Sequence, residues 1–203
     1  MYYKKFNEQI ISFSIITVPI LTLIFGLRKS PFDYTLSMIG NWYDYYTRFV
    51  LWGIITSILL FISIYHIYQS ANFKNRKAIR FLILSVIFLV LTVLTPTISE
   101  EPIQKELREI FVFNFHGLFG FAFSFFLILS LYLFSMYLSS VDEKLSLKSF
   151  RWLLITVGGS IITLFIFGMT GIFEIFFFVS LSIFLFIINI GIKKKLKKDK
   201  EKT

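Results

Sequence analysis

Long uncharged, apolar stretches alternate with short charged ones along the chain. Nineteen uncharged residues separate Glu8 from Arg28, 25 separate Arg48 from Lys74, and 19 separate Arg80 from Glu100. A further 32 lie between Glu109 and Asp142, 22 between Arg151 and Glu174, and 18 between Glu174 and Lys193. A helix rising about 1.5 Å per residue needs roughly 20 such residues to cross a hydrocarbon core about 30 Å thick. The six runs predict an all-α, polytopic integral membrane protein, a bundle of six transmembrane helices near 10–27, 49–68, 81–98, 116–138, 152–170 and 174–192. The runs are apolar on every side, unlike an amphipathic soluble helix. They lack the short alternating segments of a membrane barrel. The 32-residue run exceeds one span. Its first part, Ile110 to Phe115, is therefore assigned to a surface helix starting near Ser99, with Glu100, Glu101 and Pro102 in the first turn.

Composition changes this picture little. The chain is 56% hydrophobic and 16% charged, where a soluble domain is about 45–50% apolar and about 25% charged. The absence of cysteine excludes a disulfide scaffold, a thiolate metal site and a cysteine nucleophile. Lys4 and Lys5 precede the first span as in a signal peptide. Its apolar core is longer than a signal segment, however, and no A-x-A-like site follows, so it reads as an uncleaved anchor.

Charge sets the orientation. The N-terminus, the 69–80 and 139–151 loops and the 193–203 tail together carry 16 of the 21 Lys and Arg residues. The cation-rich side is expected to be cytoplasmic, with both termini inside (N-in/C-in), in a bacterial inner or plasma membrane. The tail from Lys193 to Lys202 reads first as a topology anchor, and as a contact for anionic lipid. The net charge of +9 thus implies membrane lipid as partner rather than nucleic acid, for which no fold motif or aromatic interleaving is present.

Within the spans, small residues recur at helical spacing: Gly53 with Ser57, Gly120 with Ser124, Gly159 with Thr163. Such faces let helices approach closely. Packing inside the bundle is their simplest use, and a homo-oligomer interface is another. Pro19 and Pro96 are expected to kink or end their helices. Trp52, Tyr65, Tyr68, Tyr132, Tyr137 and Trp152 lie toward span ends, as interfacial aromatics do. No Asp, Glu, Lys or Arg lies in mid-span, which argues against an ion-coupled transporter but leaves a passive channel or small exporter.

The candidate chemistry falls on the extracytoplasmic side. Residues 27–48 hold Asp33, Ser37, Asn41 and Asp44. Helical geometry from Ser37 to Asp44 would put Ser37, Asn41 and Asp44 on one face. His116 stands at the mouth of the fourth span, with Gly117 and Gly120 leaving its backbone open to a neighbour. Glu174 marks the last outer turn. Ser37, His116 and either Asp33 or Glu174 could form a nucleophile, base and orienter. His116 with Asp33, Asp44 or Glu174 is a thin metal signal. A hydrogen-bonded cluster pinning the outer loops is the simplest role. The chain shows no nucleotide, metal or haem motif, and no cofactor is expected.

Ser37-x-x-Gly40 after the first span, Thr95-Pro96 closing the third, and His116-Gly117 with Ala122-Phe123 opening the fourth form an ordered set. In this layout the chain resembles the six-span bacterial and archaeal membrane proteins grouped as domain of unknown function 998. It is also similar to the DRAM-type membrane proteins. The resemblance implies a six-helix bundle with an outward polar cluster and no established reaction. The expectation is a non-enzymatic protein binding a lipid or small molecule through Ser37, Asn41, His116 and Glu174. The alternative is a membrane-embedded lipid hydrolase or transferase using Ser37, His116 and Asp33. Single cysteines placed at Lys105 and Lys144 are expected to react with an impermeant thiol reagent from opposite sides of the membrane; reaction of both from one side would overturn the topology.

Overall fold

A computed structural model describes the backbone of residues 2–96 and 107–201, and the side chains of residues 13–96, 115–198 and 201. Seven helices are present among the described residues: α1 (Tyr2–Gly26), α2 (Leu36–Trp42), α3 (Tyr46–Ser70), α4 (Arg76–Leu94), α5 (Leu107–Val141), α6 (Glu143–Phe167) and α7 (Gly171–Lys200). Helices α3 to α7 each contain a segment long and apolar enough to cross a membrane. The described apolar part of α1 is the shorter Phe13–Gly26. The fold is all-α, with several helices suited to span a membrane. The six long helices form a closed ring in the order α1, α3, α4, α5, α6, α7, and α3 also touches α7 across it. The short α2 lies against α3 at one end. That end is called the α2 end below, and the opposite one the tail end.

Local chemistry explains where the helices stop. Thr95 takes an extended ψ of 117°, the conformation that a following proline imposes, so α4 ends four residues short of the predicted span. Pro19, by contrast, does not end α1, which continues to Gly26. The φ of Gly168, 71°, closes α6, because a left-handed residue cannot continue the helix. Asn75 starts α4 by accepting from the Lys77 and Ala78 amides at 2.9 and 3.2 Å.

Two predicted segments differ. Ile110 to Phe115 do not belong to a separate surface helix; they continue into α5, which runs 35 residues without a break, about 52 Å at the helical rise. No proline or glycine falls between Leu107 and His116. The predicted start near Ser99, with Glu100, Glu101 and Pro102, lies outside the described residues. The 139–151 loop is also almost wholly helical. Only Asp142 stands between α5 and α6, and its carboxylate accepts from the Leu145 amide at 3.0 Å to cap α6.

Small residues place the helices as expected at two positions and not at a third. A Cβ on Gly53 would collide with Val93 of α4, and one on Gly159 with the Phe176 ring of α7. Around Gly117 nothing lies within 4 Å, and Gly120 meets only Thr92, at 3.7 Å. Among the described residues, then, α4 reaches this stretch of α5 only at ordinary contact distance through Thr92, and no described segment presses on Gly117.

Aromatic rings fill both ends of the interior. At the α2 end Phe49 stacks on Trp52 at 5.8 Å and Phe178 meets Trp52 edge-on at 5.3 Å. The Trp52 indole N–H donates to Thr22 Oγ1 at 3.2 Å. At the tail end Tyr68, Phe73, Phe134 and Tyr137 interlock, with centroids 4.7–5.2 Å apart for the closest pairs. The Tyr68 hydroxyl meets Ser130 Oγ at 2.7 Å, and Ser130 donates to the Ala78 carbonyl. Trp52 and Tyr68 are core residues, not interfacial ones, because each finds a polar partner inside for its one polar group. Tyr65 and Tyr132 remain exposed.

Gly53→Ala is expected to destabilise the protein by about 1–3 kcal/mol through overpacking against Val93. Val93→Ala in that background should recover most of the loss, as read from thermal unfolding in detergent.

Candidate functional site

The polar residues of the α2 end are organised by a strap, residues 30–35, that crosses the start of α7. The first amides of a helix have no partner within it and need acceptors. Here the strap supplies them: Gly171 N–H donates to the Tyr34 carbonyl and Ile172 N–H to the Pro31 carbonyl, each at 2.9 Å. Gly171 is required for this approach, since a Cβ there would lie 2.7 Å from the Tyr34 oxygen. The Thr170 hydroxyl beside it is buried with no partner among the described residues.

The strap is capped in return. Glu174 Oε2 accepts from the Leu36 amide, the first of α2, at 2.6 Å. Thr35 Oγ1 accepts from the Met38 amide at 3.1 Å and meets Ser37 Oγ at 2.9 Å. A carboxylate at a helix N-terminus is favoured by both the orphan amides and the helix dipole. Thus α7 caps α2, and the strap leading into α2 caps α7. Glu174 is half-buried, and its bond to Leu36 joins residues 138 positions apart in the chain.

The predicted site residues fall into two groups. Ser37, Asn41 and Glu174 come together: Asn41 Nδ2 donates to the Ser37 carbonyl at 2.8 Å, one turn along α2. His116 belongs elsewhere. It lies inside α5, well past that helix's start, and its Nδ1 donates to the Thr95 carbonyl at 2.8 Å. Tyr46 O–H donates to the neighbouring Leu94 carbonyl at 3.2 Å, so His116 and Tyr46 together satisfy the end of α4. No hydrogen bond joins Ser37 to His116 among the described residues. Asp33 is exposed in the strap. Asp44 does not share a face with Ser37 and Asn41, because α2 ends at Trp42 and Asp44 adopts a φ of 58°. That left-handed turn, which Asp tolerates, redirects the chain into α3. No group of three or more His, Asp or Glu side chains able to hold a metal exists among the described residues.

A feature that the sequence reading passed over is the cation–aromatic collar on the outer surface of this cluster. The guanidinium carbons of Arg28 and Arg48 lie 5.2 and 5.3 Å from the centroid of the Tyr45 ring. Lys29 Nζ lies 4.2 Å from that of Tyr43. Both arginines are exposed, and none of these three cations has an acidic partner within ion-pairing distance among the described residues. The signal available in the sequence was Arg28-Lys29 and Arg48 bracketing an aromatic-rich loop.

No protein-family model, curated protein or solved structure matches the chain.

Glu174→Leu would leave the Leu36 amide without its acceptor, a loss of about 1–3 kcal/mol. Hydrogen exchange at Leu36 is expected to accelerate correspondingly, whereas Glu174→Gln, which keeps an acceptor oxygen, should hold the rate near that of the parent. Equal rates in all three proteins would remove the cap from the account.

Proposed function

We propose that this protein is a non-enzymatic, six-span protein of the cell membrane with both termini cytoplasmic, and that its outer rim binds the headgroup of an anionic lipid. The observation that carries the reading is the convergence of Arg28 and Arg48 on Tyr45, with Lys29 on Tyr43 and no carboxylate paired with any of them among the described residues. Guanidinium groups held on an aromatic face keep their outward N–H donors for an oxyanion such as a phosphate. The platform beneath is held in place by the mutual capping of α2 and α7. In this reading Ser37, Asn41 and Glu174 hold the platform, and His116 ties α5 to the end of α4.

The six-span count is supported by α1, which closes the ring of long helices between α3 and α7. The orientation is supported by the excess of Lys and Arg at the tail end. The same reading includes kinship with the six-span family that the Ser37, Pro96 and His116 layout resembles. Binding is preferred to hydrolysis because Ser37 Oγ is bonded to Thr35, and His116 Nδ1 to a main-chain carbonyl rather than to a carboxylate.

Native mass spectrometry of the detergent-extracted protein tests the reading, with phosphatidylglycerol and phosphatidylcholine added in turn. The combined Arg28→Gln, Arg48→Gln variant is expected to lose roughly tenfold or more in phosphatidylglycerol affinity, at about 1 kcal/mol per cation, with phosphatidylcholine unaffected. Unchanged phosphatidylglycerol retention would overturn it.

A further inference from the structure

At the tail end, α6 carries a shallow groove of about 490 Å³ lined by Lys144, Leu147, Lys148, Arg151, Trp152 and Ile155. Lys144, Lys148 and Arg151 are spaced by four and three residues, so they stack along one face of the helix. All three are exposed. None has an acidic partner within ion-pairing distance among the described residues.

The energetics of α6 itself do not favour this arrangement. Like charges at these spacings repel, and cations near a helix N-terminus oppose its dipole. Retention of positive charge on one side of a membrane explains why cations occur in this segment. It does not explain the order of the residues along this face. That order runs from three cations, through the Trp152 ring, to Ile155 at the start of the apolar run. Leu147, Leu154 and Ile155 are exposed beside it, and α6 is the least buried of the candidate spans. A soluble anion would meet only the cationic part. An amphiphile with a negative head and apolar chains matches the whole gradient, with the tryptophan at the polar–apolar boundary where such rings settle.

We infer that the first four turns of α6 form a binding groove for one anionic phospholipid, its headgroup phosphate held by Lys144, Lys148 and Arg151 and its chains running along Trp152 and Ile155. The site lies at the opposite end of the bundle from the Arg28–Arg48 collar and is independent of it. Gly191 of α7 packs on Leu145, so Lys193 stands about level with the start of α6 and the lysines after it continue past that start.

Quenching of Trp152 by brominated lipid reads the groove directly. The protein is reconstituted in phosphatidylcholine bilayers containing brominated phosphatidylglycerol or, separately, brominated phosphatidylcholine. The difference between the parent and Trp152→Phe isolates the Trp152 signal. Quenching by the anionic lipid is expected to exceed that by the zwitterionic lipid at the same mole fraction. Combining Lys144→Gln, Lys148→Gln and Arg151→Gln should lower this preference by on the order of 100-fold in association constant, about fivefold per cation. Neutralising Lys194, Lys197 and Lys198 instead should leave it unchanged. Equal quenching by the two lipids, equal loss on neutralising the tail, or displacement by inorganic phosphate in the buffer would each overturn the assignment. Since Arg28 and Arg48 are intact in every variant, failure here and failure of the outer-rim reading are distinguishable.

Discussion

A peptide group in hydrocarbon has no water to bond, so every amide and carbonyl at membrane depth must find its partner within the protein. Much of this structure follows from that constraint. The long segments are helices, and several of their interior hydroxyls turn back onto their own helices: Thr22 to Val18, Ser57 to Gly53, Ser160 to Thr156 and Ser182 to Phe178. What remains is at the helix ends, where four amides or four carbonyls have no partner in the helix. Those ends hold much of the polar side chain inventory. Asn75 and Asp142 start α4 and α6, and His116 and Tyr46 finish α4.

The α2 end shows how one solution can serve two helices. The acceptors for α7 are carbonyls of the strap, and the acceptor for α2 is a carboxylate of α7. The Leu36 amide of α2 and the Gly171 and Ile172 amides of α7 find these acceptors only with both elements in place, whereas the Met38 amide is capped locally by Thr35. An apparent cluster of chemistry, with Ser37, Asn41 and Glu174 in close succession, is in this sense a consequence of helix termination. The side chains left over, Arg28, Lys29 and Arg48, are the ones with donors to offer outward.

The architecture was largely legible in the sequence because charge is excluded from hydrocarbon. The six uncharged runs coincide with α1 and α3 to α7, and the break at Thr95-Pro96 follows from proline chemistry. Less legible was whether a given aromatic faces lipid or core. Trp52 and Tyr68 lie near span ends, as interfacial residues do, yet their polar atoms meet Thr22 and Ser130. Such partners are distant in the chain and leave no periodicity to read. The same holds for the site. Glu174 and Ser37 could be grouped from their position in outer loops, but Glu174 as a cap for Leu36 requires the fold. His116 was grouped with them by side of the membrane, whereas its hydrogen bond is set by where α4 stops. Gly117 and Gly120 suggested close approach by composition alone, and closeness depends on which face a neighbour crosses.

The single residue between α5 and α6 bears on how independently those two helices can move. Asp142 is the whole connection, and the two helices are further clasped by Ser135 Oγ meeting Ser149 Oγ at 2.6 Å and Ser146 donating to the Ser135 carbonyl. A link of this length has no slack. The end of α5 and the start of α6 are therefore fixed against each other as one tight hairpin. The unit of structure over residues 107–167 is then a helical pair rather than a helix, and an insertion beside Asp142 would loosen the serine clasp before it altered either helix.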